Sequence, residues 1–213
     1  MGIAADTLPA FDDPPVKKSE LDELKAQAKH CTACPLWRNA TQTVFGEGDA
    51  RARAILVGEQ PGDAEDLKGH PFIGPAGAIL DRALVDAGLD RAELYVTNAV
   101  KHFKWEPRGK RRMHKTPAQQ EIEACRQWLD REIETIKPDL IIGLGATAAR
   151  ALTGRAVKLG ELRGKIIRRE NEPSLLFTVH PSYVLRVPPP GRDPAYHGLV
   201  GDLKVAAGYL QRS

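Results

Sequence analysis

The sequence predicts a three-layer α/β/α sandwich around a central four-stranded parallel sheet, and three observations predict it. Continuous apolar runs of strand length recur along the chain, the pattern of strands covered on both faces. Segments of helical periodicity separate them. The 213 residues, 42% hydrophobic and 28% charged, are enough for one well-buried core and few for two.

Residues 1–18 carry acids and Pro9, Pro14 and Pro15 without an apolar run before a cleavage-like site. They predict a loose tail and not a signal peptide, which leaves residues 19–213 as the single domain. Ser19-Glu20-Leu21-Asp22 has the form of a capping box, and Leu21, Leu24 and Ala28 recur at helical spacing, so a helix delivers the chain to Cys31. Ala54 to Val57 is the first strand, broken by Gly58. A helix from Ala78 to Ala87 follows, with Gly88 as its stop. Tyr95 to Val100 repeats the strand pattern. Thr116-Pro117 places an N-cap and a first-turn proline before a helix that runs to about Ile136 and carries Cys125. Leu140 to Leu144 is the third strand, Ala146 to Leu152 a helix stopped by Gly154, and Leu175 to Thr178 the fourth strand. Asp193-Pro194 opens the last helix, which reaches about Leu210.

Several classes are excluded. Apolar runs such as Leu140 to Leu144 fall far short of the roughly 20 residues of a membrane span. No Gly-x-Gly-x-x-Gly follows the first strand and no phosphate-binding Gly-x-x-x-x-Gly-Lys-Ser/Thr occurs, so no nucleotide cofactor is expected. The expected compartment is the cytoplasm, and nothing demands more than a monomer. There, three cysteines, two of them spaced Cys31-x-x-Cys34, point to metal or redox chemistry before disulfides.

Charge is uneven. The net charge is +3, yet residues 101–115 hold Lys101, Lys104, Arg108, Lys110, Arg111, Arg112 and Lys115 against Glu106 alone, 7 minus 1 or +6, leaving −3 elsewhere. A mildly acidic body with one intensely basic segment is the footprint of a protein that meets a polyanion at a defined place. A merely solvated loop is the ordinary alternative.

In an open parallel sheet the binding crevice lies beyond the carboxyl ends of the strands. The residues there are polar: Gly58-Glu59-Gln60-Pro61-Gly62-Asp63 after the first strand, Asn98 on the second, Gly145 after the third and His180-Pro181-Ser182 after the fourth. A carboxylate, an amide and an imidazole would converge on one rim, although Asp63 and Ser182 taken alone read as helix caps. Phe72, in the loop from His70 to Gly77, is either core or a stacking platform for a planar ligand.

Gly58 to Asp63, then Pro71 to Gly77, then Thr97-Asn98-Ala99-Val100-Lys101, then His180-Pro181-Ser182 resembles the iron–sulfur uracil-DNA glycosylases in motif order, from about residue 20 to about 207. Lys110-Arg111-Arg112-Met113-His114 resembles the loop of the UdgX branch, with Met113 where Ile is expected. The resemblance implies a glycosylase of uracil-containing DNA, single strands preferred, that releases free uracil and stays covalently attached to C1′ through His114. It implies that Phe72 stacks on uracil, that Asn98 reads its O4 and N3–H edge, and that His180 bonds O2 as charge builds on the leaving base. Glu59 would stabilise an oxocarbenium-like C1′, and Gln60, Gly62 and Asp63 would position the nucleotide. Lys101, Lys104, Lys110, Arg111, Arg112 and Lys115 would bind DNA. Arg111, Arg112 and Lys115 would also favour neutral His114 by like-charge repulsion.

Cys31, Cys34 and Cys125 supply three thiolates, and His102 stands where the family's fourth cysteine is expected, so the resemblance implies a [4Fe-4S] cluster on these four residues. From spacing alone, structural zinc on Cys3His fits better. The competing functions are a turnover glycosylase without a stable adduct and a non-enzymatic iron–sulfur DNA-binding module.

Overall fold

The computed structural model describes the backbone of residues 14–212 and side chains from Lys17 to Arg212, so most of the expected tail lies outside the described residues. Helix α1 (Pro14–Ala28) starts earlier than the sequence suggests, and Ser19 lies within it and not at its cap. Strand β1 (Glu47–Gly48) precedes β2 (Ala54–Gly58). A short helix α2 (Asp63–Lys68) and then α3 (Pro75–Ala87) lead to β3 (Tyr95–Asn98). The basic segment folds as a hairpin of β4 (Trp105–Arg108) and β5 (Arg111–His114). Helix α4 (Gln119–Ile136) follows. Its N-cap is Ala118 and not Thr116, and the Glu121 carboxylate accepts the Ala118 N–H at 2.6 Å.

Strand β6 (Leu140–Leu144), α5 (Ala146–Thr153), a single turn α6 (Leu159–Leu162), β7 (Ile166–Arg169), β8 (Glu172–Thr178), α7 (Pro181–Arg186) and α8 (Arg192–Leu210) complete the chain. The main sheet has six strands in the order β1-β3-β2-β6-β8-β7. Its four inner strands are parallel, as the apolar runs predict, while β1 and β7 pair antiparallel at the two edges.

Alternation along the inner strands divides the core into two layers. Ile55, Val57, Ile141, Leu175 and Phe177 pack with Leu24, Cys125, Leu129 and Ala148 of α1, α4 and α5. Ala54, Leu56, Ile142, Leu144 and Leu176 pack with Leu80, Leu84, Leu199 and Leu203 of α3 and α8. Both faces of the sheet are therefore buried, and the carboxyl ends of β3, β2, β6 and β8 open onto one rim.

Candidate active site

The chain runs from β2 to β3 on one side of the sheet and later places β6 and β8 on the other, so β2 and β6 flank the topological switch point. Glu59 leaves β2 there, and its carbonyl accepts the Val100 N–H at 3.0 Å. Its carboxylate Oε2 takes the Thr147 hydroxyl proton at 2.6 Å. The other oxygen, Oε1, is buried without a hydrogen bond and lies 3.3 Å from His114 Nε2, a close contact that is not aligned as a hydrogen bond. Asn98, at the end of β3, also buries its Oδ1 without a partner. Two acceptors withdrawn from water and left unsatisfied are costly unless a ligand donates to them.

Gly58 makes room for that arrangement. A Cβ there would collide with Asn98 Oδ1 and Phe72 Cζ, so a larger residue would displace both groups. Phe72 is buried and held at φ 54°, a left-handed conformation that an aromatic residue adopts only under tertiary constraint. Its ring lies 5.9 Å from that of His180, stacked at 30°.

His180 is the N-cap of α7. Its Nδ1 accepts the Ser182 N–H at 3.2 Å and lies 2.7 Å from the Ser182 hydroxyl, which itself accepts an N–H of Arg186 at 2.8 Å. With Arg186 donating to it, the hydroxyl can turn its proton to Nδ1, and the ring then carries its own proton on Nε2. Burial above all, with the charges of Arg186 and His114, lowers the His180 pKa to about 4. His180 is thus a neutral hydrogen-bond donor.

The hairpin carrying His114 is fastened from beneath. The Gln60 amide donates to the carbonyls of Lys104 (3.1 Å) and Lys115 (3.2 Å) and accepts the Lys104 N–H at 3.0 Å, joining both legs. Arg112 pairs with Asp63 and with the fully buried Asp66, both at 2.6 Å, and its guanidinium lies over Phe103 and Trp105. The carboxylates raise the Arg112 pKa against the opposing effect of burial. The Gly62 N–H donates to Glu65, whose other oxygen accepts the Gly74 N–H, tying the two glycine-proline loops together. Of the residues expected to position the nucleotide, the Gln60 amide, the Gly62 N–H and one Asp63 oxygen are each engaged within the protein.

The basic residues divide in the same way. Lys101 is fully buried, and its ammonium bonds Glu132 and Thr97 at 2.6 Å and the Asn98 carbonyl at 2.8 Å. It is a core residue and cannot bind DNA, which corrects that expectation. Lys104 pairs with Glu121, Lys115 with Glu106, and Arg112 with its two aspartates. Of the three bases expected to flank His114, Arg112 and Lys115 are matched by carboxylates, and Glu59 faces the ring. Arg108, Lys110 and Arg111 are exposed at the hairpin tip.

The cysteines gather where α1 ends against α4. Cys31 Sγ accepts the Trp128 indole N–H at 3.1 Å and Cys125 Sγ the Lys101 N–H at 3.2 Å. Burial is the main cause raising both thiols, Cys34 above its ordinary range and Cys125 to about 12, while a Leu36 backbone N–H acts in the opposite sense on Cys34. N–H donors aimed at buried sulfur suit thiolates bound to a cation better than free thiols. His102 is neutral, its pKa lowered by burial. The Thr43 hydroxyl gives its proton to the Ala28 carbonyl, so it can only accept from His102 Nε2, 2.9 Å away, and Nδ1 is left with a free lone pair. The donor chemistry therefore fits a soft metal group, although among the described residues no three His, Cys, Asp or Glu side chains close around an ion.

Four residues that shape this region escape the sequence reading: Glu65, Asp66, Glu132 and Thr147. Only the acids opening α2 carried a signal, as first-turn carboxylates of a helix.

A family model described as the uracil DNA glycosylase superfamily matches residues 45–204. A type-4 uracil-DNA glycosylase of Thermotoga maritima is 40% identical over 171 residues, 79% of this chain and 85% of that protein. Its namesakes from Pyrobaculum aerophilum and Saccharolobus solfataricus are 38% and 34% identical, covering 79% of this chain and 86% and 79% of their own lengths. With Glu59, Asn98 and His180 gathered at the carboxyl ends of the strands, these matches place the chain in the uracil DNA glycosylase superfamily.

Proposed function

We propose that this protein excises uracil from DNA and is captured on the abasic product through His114. The observation that carries the reading is the pair of buried, unsatisfied acceptors, Glu59 Oε1 and Asn98 Oδ1, at the carboxyl ends of β2 and β3, with the His114 ring beside the first. The Asn98 oxygen suits the N3–H of uracil and disfavours cytosine, whose N3 is itself an acceptor. Phe72 supplies a stacking face, and His180 Nε2–H meets O2. As the C1′–N1 bond breaks, its electron pair passes to the base and is stabilised at O2 by His180. The Glu59 carboxylate supports the cationic C1′. A ring-nitrogen lone pair of His114 then forms the N–C1′ bond, outcompeting water because it is held in place. The imidazolium so formed loses its remaining N–H proton to solvent, and the uracil anion takes a proton from water.

A uracil-containing single-stranded oligonucleotide, mixed with the full chain and run on a denaturing gel, tests this. The expected result is one protein per uracil site, no adduct with thymine, and uracil release without adduct for His114→Ala. Release by the wild type with no adduct identifies a turnover glycosylase. Salt-reversible binding with no release identifies a DNA-binding module.

For the cofactor, we infer a [4Fe-4S] cluster held by Cys31, Cys34, Cys125 and His102 Nδ1. It would pin the end of α1 and the exit of β3 to α4, a structural role. The purified protein is expected to be brown and to contain iron and sulfide, and His102→Cys to retain more of both than His102→Ala. A colourless protein with stoichiometric zinc rules the cluster out.

A further inference from the structure

The Glu59 carboxylate is held by a residue that no motif singles out. Thr147 lies in the first turn of α5, across the switch point from β2, and is buried. Its hydroxyl donates to Glu59 Oε2 at 2.6 Å, a short, charge-assisted geometry. Gly145, the N-cap of α5, sits at φ 92°, and a Cβ there would come within 3.0 Å of the His180 Cβ, so this helix start approaches the base-binding imidazole as well. A glutamate side chain has three rotatable bonds, and its terminal torsion is broad, so an unanchored carboxylate exchanges its two oxygens freely. Here one oxygen is fixed and the other, Oε1, is left bare beside His114. The positive end of the α5 dipole favours the same anionic arrangement.

We infer that Thr147 is the positioning residue of Glu59, fixing one carboxylate oxygen so that the other faces the reacting sugar carbon. This rests on the glycosylase reading above. Threonine suits the task because its branched Cβ restricts the rotamers from which the hydroxyl can reach.

The test is single-turnover uracil release from a uracil-containing single-stranded oligonucleotide by Thr147→Val and Thr147→Ser in the full chain. Losing a hydrogen bond to a charged group predicts that Thr147→Val slows release by about 10- to 100-fold at saturating DNA. The DNA concentration giving half-maximal rate stays unchanged, and Thr147→Ser restores most of the rate. In a Glu59→Gln background, Thr147→Val adds little further loss, since the carboxylate it acts through is gone. Release at the wild-type rate by Thr147→Val, or an equal loss in both backgrounds, overturns the inference. If Thr147→Val fails to fold, Thr147→Ala is read against the same criteria. Wild-type protein that releases no uracil defeats the glycosylase reading itself, whereas a full-rate Thr147 variant defeats only this assignment.

Discussion

His180 shows how a few atoms set a protonation state. Two donors converge on Nδ1, so the proton resides on Nε2, and burial keeps the ring neutral down to about pH 4. A histidine pKa lowered in the folded state means that the unfolded chain takes up the proton first. The stability contributed by the neutral ring is therefore complete above pH 6.5 and is lost progressively as the pH falls from 6.5 towards 4. Two-dimensional NMR of the imidazole nitrogens should show the Nε2–H form at pH 6, and a ring that titrates near 6.5 contradicts the assignment. Ser182→Ala should slow uracil release by about tenfold, the effect of one lost hydrogen bond on tautomer and orientation. Residues such as His180, Asn98 and Glu59 were legible in the sequence because each ends or follows an apolar strand, and position alone puts them on the rim. Thr147 was not, since its partner is 88 residues away and nothing local distinguishes it from any first-turn threonine.

Among the elements, the β4–β5 hairpin stands apart, for a two-stranded ribbon outside the main sheet has little intrinsic stability. Arg112 compensates by pairing with Asp66, which is fully buried and also accepts the Thr41 N–H. Arg112→Ala leaves that carboxylate uncompensated and should cost on the order of 3 kcal/mol in denaturant unfolding. It should also reduce adduct formation more than uracil release, because it frees His114 and leaves Glu59 in place. An unchanged adduct yield would separate the anchor from the nucleophile. The inner strands were readable because β2 and β6 are continuously apolar. The hairpin was not, because β5 is basic on both faces and Pro107 interrupts β4, so neither strand shows alternation. What holds it is remote in sequence: the Gln60 amide, 44 to 55 residues away, and the ion pairs of Arg112, the one to Asp66 spanning 46 residues. The edge strands β1 and β7 were missed for a related reason: two residues at one edge and a half-exposed segment ending in Arg168 and Arg169 at the other carry no apolar run.

Over the whole molecule, internal pairing changes what the basic segment contributes to encounter with DNA. Of its seven bases, Lys101, Lys104, Arg112 and Lys115 are engaged by carboxylates, which leaves Arg108, Lys110 and Arg111 at the exposed tip. On single strands each phosphate contact contributes about −0.7 to the slope of log K against log salt. Replacing the three tip residues by alanine should therefore make the initial-binding slope shallower by about 2, measured on an adduct-deficient His114→Ala background. A total slope near about −4 before the replacement, six contacts in place of three, would mean that the pairs of Lys104, Arg112 and Lys115 open on binding. The same architecture has a practical consequence. The Lys17 ammonium reaches the carbonyl of Ile136 at the end of α4, and Arg53, just ahead of β2, reaches that of Leu210 at the end of α8. Both described ends of the chain thus lie beside the amino ends of the strands, opposite the rim. A tether or fluorophore attached at Lys17 or beside Leu210 would leave the DNA-facing pole clear, so a molecule immobilised there would present its reactive side outward.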